Sequence, residues 1–161
     1  MSLQPPYLAF AFFCERVLQE QDGVITPIRI VDRLLIHHLG ITRSHKFPLK
    51  NPIQTIALVV GLKSGEYKGK GKITIEGKYP SGKPLSPKSL EADVELSGPD
   101  GGANLIFNLG LPYSEAGTYW FDIYFNKRLL TRTPLNVSVL LPPIPTAKLA
   151  TKKRARLPRK V

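Results

Sequence analysis

A chain of 161 residues, 42% of them apolar, is long enough to bury one sizeable core and short for two ordinary domains. Its net charge of +11 is uneven: positions 142–161 hold seven lysines and arginines and no acid, leaving sixteen basic against twelve acidic residues before them. The single cysteine excludes an internal disulfide, and the apolar run near the N-terminus is too short to span a bilayer.

Tyr7 to Cys14 is apolar on both parities, which predicts a first strand covered on both faces or passing through the core. This run lacks a basic flank and a small-residue cleavage site, so with one unpaired cysteine the expected compartment is a reducing cytoplasm. Cys14 shares its parity with Leu8, Phe10 and Phe12 and reads as a buried, inert thiol, not a nucleophile. Gln21, Asp22 and Gly23 supply turn chemistry. A second strand is expected from about Val24 to Ile36, with Ile28, Ile30, Leu34 and Ile36 on one face and Arg29 and Arg33 on the other. Asp32 falls on the apolar parity. A lone carboxylate makes no site, so a bulge or a local hydrogen-bonding role is expected there instead of a buried acid with a raised pKa. His37, His38 and His45 belong to a predicted loop ending near Pro52. Adjacent histidines on an extended chain point to opposite faces, and no nearby cysteine or acid completes a ligand set, so a solvated loop is expected and no metal site.

Ile53 to Leu62 is the next predicted strand, followed by a hairpin loop containing Gly61, Gly65, Gly69 and Gly71. Lys70, Lys72, Thr74, Glu76 and Lys78 then alternate with Ile73, Ile75 and Tyr79, forming a lysine ridge. The glycines beside it precede a strand and do not open a helix, which argues against a phosphate cradle. From Leu90 to Leu96 the polar face carries Glu91, Asp93 and Glu95, an acidic ridge suited to lie beside the lysines and fix register. After a strong turn at Ser97 to Gly102, an inward face is expected from Leu105, Phe107, Leu109 and Leu111. Gly117 to Val137 reads as a β-hairpin turning at Asn126 and Lys127. Tyr119, Phe121, Ile123 and Phe125 share one parity, and Thr118, Trp120, Asp122 and Tyr124 the other. Pro134 in the returning strand predicts an edge or a bulge, because proline cannot donate to the ladder. Seven or eight strands without a convincing amphipathic helix predict an all-β, antiparallel β-sandwich over 1–141, followed by a basic, proline-containing tail over 142–161.

The pattern CERVLQEQDGVITPIRIVDRL, with GTYWFDIYFNKRLLTRTPLNV three strands later, resembles a family of small uncharacterised bacterial proteins of unknown function. Cys14, Glu15, Asp22, Gly23, Gly117, Tyr119, Phe121, Pro134, Leu135 and Val137 carry the resemblance, which spans most of positions 7–139. It implies an immunoglobulin-like architecture and no established activity. The basic tail lies outside the pattern.

No acid, base, nucleophile and metal-ligand constellation is recognisable, so the expected class is a non-enzymatic binding or structural module without a cofactor. Trp120 and Tyr124, on the parity opposite the strongest apolar face, are the candidate protein-binding residues, directed at an unidentified protein partner or a larger assembly. The alternative is a nucleic-acid or ribosome-associated protein that meets phosphates through Lys148, Lys152, Lys153, Arg154, Arg156, Arg159 and Lys160. No aromatic is interleaved with those cations, so base stacking by the tail is not expected. No membrane partner is expected.

Overall fold

Period-two alternation and β-branched or aromatic residues set up nine strands, and the computed structural model describes residues 4–37, 53–112 and 114–140. They are β1 (Tyr7–Gln19), β2 (Ile25–Val31), β3 (Arg33–His37), β4 (Ile53–Lys63), β5 (Lys68–Lys78), β6 (Leu90–Ser97), β7 (Gly102–Pro112), β8 (Gly117–Phe125) and β9 (Arg128–Leu140). A four-stranded sheet runs β2-β1-β4-β7, and a five-stranded sheet runs β3-β9-β8-β5-β6. The two close face to face as a β-sandwich, with no helix among the described residues.

Four expectations change. The single strand foreseen from Val24 to Ile36 is two, in different sheets, so the described residues hold nine strands. Val31 contributes to the core beside Phe13, whereas Leu34 and Ile36 reach the core from the opposite sheet. One straight strand cannot serve both layers, and the chain bends at Asp32. That residue is exposed, and its carbonyl accepts a hydrogen bond from the Asn136 amide (3.0 Å). Second, β3 pairs with β9 in parallel, so the five-stranded sheet is mixed and the sandwich is not purely antiparallel. Third, the glycine-rich connection from β4 to β5 crosses between sheets and is not a hairpin. Fourth, His37 closes β3 instead of opening a loop; His38 and His45 lie outside the described residues.

The hairpin of β8 and β9 forms as its turn chemistry dictates. Asn126 and Lys127 both hold positive φ (45° and 67°), the signature of a two-residue turn whose twist matches the strands. Asn126 pins this turn to β5, accepting from the Lys72 amide through Oδ1 and donating its own amide to the Lys72 carbonyl, both at 2.9 Å. Pro134 is tolerated because β3 covers β9 only from Asn136 onward, leaving β9 an edge at the proline.

The core gathers inward-facing residues from both sheets. Phe13 meets Phe121 edge-on across the sandwich, ring centroids 5.0 Å apart at 62°. Two residues before Phe121, the fully buried Tyr119 donates its hydroxyl to the Glu115 carbonyl (2.8 Å), tying the start of β8 back to the preceding turn. The geometry is that of a tyrosine corner, which in antibody domains stands two places before a disulfide cysteine. Here Phe121 fills that place. Burial raises the pKa of Tyr119, keeping the hydroxyl a donor.

Cys14 is buried as expected, but on the outer face of the four-stranded sheet. An irregularity between Leu8 and Phe10 turns Leu8 inward and leaves Phe10, Phe12 and Cys14 on the other side, where Cys14 packs with Ala57 and Val59 in a satellite cluster. Burial pushes its thiol pKa up, away from reactivity.

Tyr119→Phe keeps the ring and removes the hydroxyl, which donates to the Glu115 and Pro112 carbonyls and accepts from the Glu115 amide, so urea denaturation should give a loss of about 0.5–1.5 kcal/mol. Phe121→Ala opens the inter-sheet contact and should cost about 3–5 kcal/mol. Equal losses in the two variants would show that the corner and the aromatic contact do not play these separate roles.

Candidate functional site on the outer face of the five-stranded sheet

The outer face of β8 presents Thr118, Trp120, Asp122 and Tyr124, as period two requires. Trp120 is 40% exposed and Tyr124 half-buried. They do not touch as neighbours: four strand residues place them about 13 Å apart. Between them sits Asp122, whose side chain is fully buried although it belongs to the outer face.

Three hydrogen bonds from two cations account for that burial. Arg132 on β9 donates through Nε to Asp122 Oδ1 and through Nη2 to Oδ2 (3.1 Å), and Lys78 on β5 donates through Nζ to Oδ2 (2.8 Å). The forked guanidinium matches the two carboxylate oxygens, the geometry in which arginine binds best. Arg132 holds the Asp122 carboxyl below the usual carboxylate range, with Lys78 assisting, against the upward push of burial. The same bonds raise the pKa values of Lys78 and Arg132. Arg132 also lies over the Trp120 ring, its Cζ 5.9 Å from the centroid, within cation–π range. One arginine thus couples the buried carboxylate to the exposed indole.

A bulge makes this cluster. Phe125 faces Arg128 and Tyr124 faces Leu129, but Ile123 faces Thr131, so Leu130 is the extra residue. An unbroken ladder would oppose Asp122 to Thr131; the bulge brings Arg132 there. Sequence reasoning places Trp120, Asp122 and Tyr124 on one face but does not find the ion cluster, for which the available signal is an acid and an arginine ten residues apart across an Asn-Lys turn. The carboxylate weighed there as a buried candidate, Asp32, is in solvent, and the buried one is Asp122.

The two ridges lie on this same face. Lys70, Lys72 and Thr74 on β5 face Glu95, Asp93 and Glu91 on β6, and Lys72 pairs diagonally with Glu91 (2.8 Å). That exposed pair adds little stability, but it offsets the lysine charge and supports the register. The candidate phosphate-binding residues Lys148, Lys152, Lys153, Arg154, Arg156, Arg159 and Lys160 lie outside the described residues. Among the described residues no cluster of three potential metal ligands occurs, and no helix is long and apolar enough to cross a membrane.

Residues 9–138 match a family of unknown function, DUF6941. A search of curated proteins finds no match. Among solved structures, an immunoglobulin-like protein from Pseudomonas aeruginosa is similar with a TM-score of 0.42 and 11% sequence identity, over 84% of this chain and 98% of that one.

A group whose folded pKa is depressed stabilises the fold above its unfolded value and loses that contribution as pH falls through the folded one. Asp122→Asn should therefore lower the melting temperature at pH 7, and its deficit against the parent should shrink below about pH 4, where the unfolded aspartate protonates. Melting curves between pH 2.5 and 7 check this. A deficit constant across that range would assign the loss to packing and not to charge.

Proposed function

We propose, for a chain that belongs to the DUF6941 family of unknown function, a non-enzymatic binding module that makes protein–protein contacts through the outer face of its five-stranded sheet. The observation that carries this reading is Trp120, a large exposed indole that shares the outer face with the exposed Leu35 and Leu129 and lies under Arg132, which is itself clamped to a buried carboxylate. Tryptophan, tyrosine and arginine are the types enriched at interface hot spots, and a side chain fixed before binding loses less entropy on docking. Tyr124 extends the contact area along the strand.

The same cluster supports a non-catalytic role. A general acid or base works best with a pKa near the operating pH, whereas two cations move Asp122 the other way and occupy its oxygens. A buried thiol with a raised pKa likewise gives no nucleophile and needs no oxidising compartment, which favours a cytoplasmic setting. The second reading is nucleic-acid or ribosome association through the tail. It is favoured by seven cations without an acid in positions 142–161, and phosphate contact of that kind is largely indifferent to sequence.

Affinity capture from lysate with the full chain, Trp120→Ala and a truncation after Leu141 separates the two. Trp120→Ala should keep the parent's circular dichroism and lose most of its captured protein, while the truncation keeps it. If Trp120→Ala unfolds the domain, Trp120 is structural and the interface reading fails. Binding to duplex nucleic acid that falls steeply with salt, by about 0.9 in log K per log salt for each neutralised phosphate, and vanishes on truncation would establish the second reading instead.

A further inference from the structure

Among the described residues the sandwich has four sheet edges, and three carry devices that discourage another strand. β6 alternates Glu91, Asp93 and Glu95; β2 contains Pro27 and a positive-φ Arg29 (54°); β3 spans five of the described residues. The fourth edge, β7, carries no such device before its terminal Pro112. Its eleven residues, GANLIFNLGLP, include no charge, and all eleven are in register with β4, a long and regular strand. Among the described residues nothing pairs with its other side.

Beside this edge the sandwich is open. β6 begins at Leu90, opposite Ile75, so the end of β5 has no β6 partner. The segment before β6 hangs on β5 instead: Leu85 donates its amide to the Gly77 carbonyl (2.8 Å), and its side chain lies over Gly77, where an added Cβ would come within 2.5 Å. A wedge-shaped cavity of about 450 Å³ remains between that segment and the second half of β7, with Ile75, Leu85, Leu109, Leu111 and Phe121 among its lining. This is within the usual size of ligand pockets. Core side chains therefore line a cavity beside a sheet edge that no described residue pairs.

We propose that the β7 edge and this wedge form a docking groove for an extended peptide segment of another protein, with apolar side chains at alternate positions and an acidic residue at its end. An added strand bonds to the free amides and carbonyls of β7, and its period of two sends every second side chain into the wedge beside Leu109 and Leu111. Asn108 and Gly110, on the other parity, leave the outward positions unobstructed. Charge selects the flank. Lys83 and Lys88 lie on the segment that walls the groove and pair with no carboxylate among the described residues, whereas Lys78 is engaged by Asp122. A second copy of this chain fits less well, because its own β7 leucines already point into its own core and fill no part of the wedge. The groove is separate from the Trp120 face and does not depend on that reading.

The probe is an acetylated, amidated peptide with three valines alternating with two threonines between terminal aspartates, added to the full chain and followed by amide exchange. Alternate amides of β7 near Asn108 to Leu111 should exchange fast in the free protein and slow on binding. N-methylation of alternate peptide residues should weaken binding by about tenfold or more, since it removes the ladder and keeps the apolar content. Lys88→Glu should weaken it severalfold with an unchanged melting temperature, and Trp120→Ala should leave it unaltered. The proposal is overturned if the N-methylated peptide binds equally, if Trp120→Ala abolishes binding, or if the alternate β7 amides are already protected without peptide. Protection that rises with protein concentration alone would give the edge to a second copy and overturn it too.

Discussion

The contact between Phe13 and Phe121 is the constraint on which the two-layer arrangement rests. Neither sheet is stable with its apolar face in water, and these rings, 5.0 Å apart, join the strand that opens the four-stranded sheet to the central strand of the other. Tyr119 then fixes where β8 begins, so Phe121 arrives at the right height. In antibody domains a covalent bolt serves this purpose, whereas here a dispersion and hydrophobic contact does. The fold is thereby independent of thiol chemistry, and the lone cysteine is free to act as a small apolar residue on the far side of its sheet.

The same strand carries the ion cluster. Inward residues of β8 hold the layers together, and Asp122 on its back gathers cations from both neighbouring strands, so β5, β8 and β9 are tied by charge as well as by ladder bonds. Removing a partner from a buried carboxylate is costly, which gives the arrangement a defined geometry beyond its net contribution to stability. Arg132, positioned by that carboxylate, lies over the Trp120 ring. Within this outer face the Asp122 cluster is therefore built, in contrast to the ridges on β5 and β6, whose exposed charges mainly compensate one another.

Much of this is legible in the residues. Alternation along Gly117 to Phe125 separates the core face from the face carrying Trp120 and Tyr124, and the Asn126-Lys127 pair announces the turn. The period of two says nothing, however, about which sheet a strand joins. Ile28, Ile30, Leu34 and Ile36 share a parity although they belong to different layers, because the bend at Asp32 changes the meaning of the pattern midway. Irregularities have the same effect. One between Leu8 and Phe10 inverts Leu8 relative to Cys14, and the extra Leu130 exchanges Thr131 for Arg132 opposite Asp122. Single-residue insertions in a ladder leave composition and alternation nearly unchanged, yet they decide which charges meet.

The parallel pairing of β3 with β9 joins segments about a hundred residues apart, and Phe13 waits for a ring even further along the chain. On a ribosome the first hairpin is complete long before its inter-sheet partners exist. Closure must follow the emergence of β8 and β9, after most of the loop entropy has been lost without reward. Such a topology folds slowly for its size and keeps apolar strand faces uncovered while it waits. The neutral edge of β7 is synthesised within that interval, so its lack of charge exposes the nascent chain to wrong pairings that the acidic β6 resists.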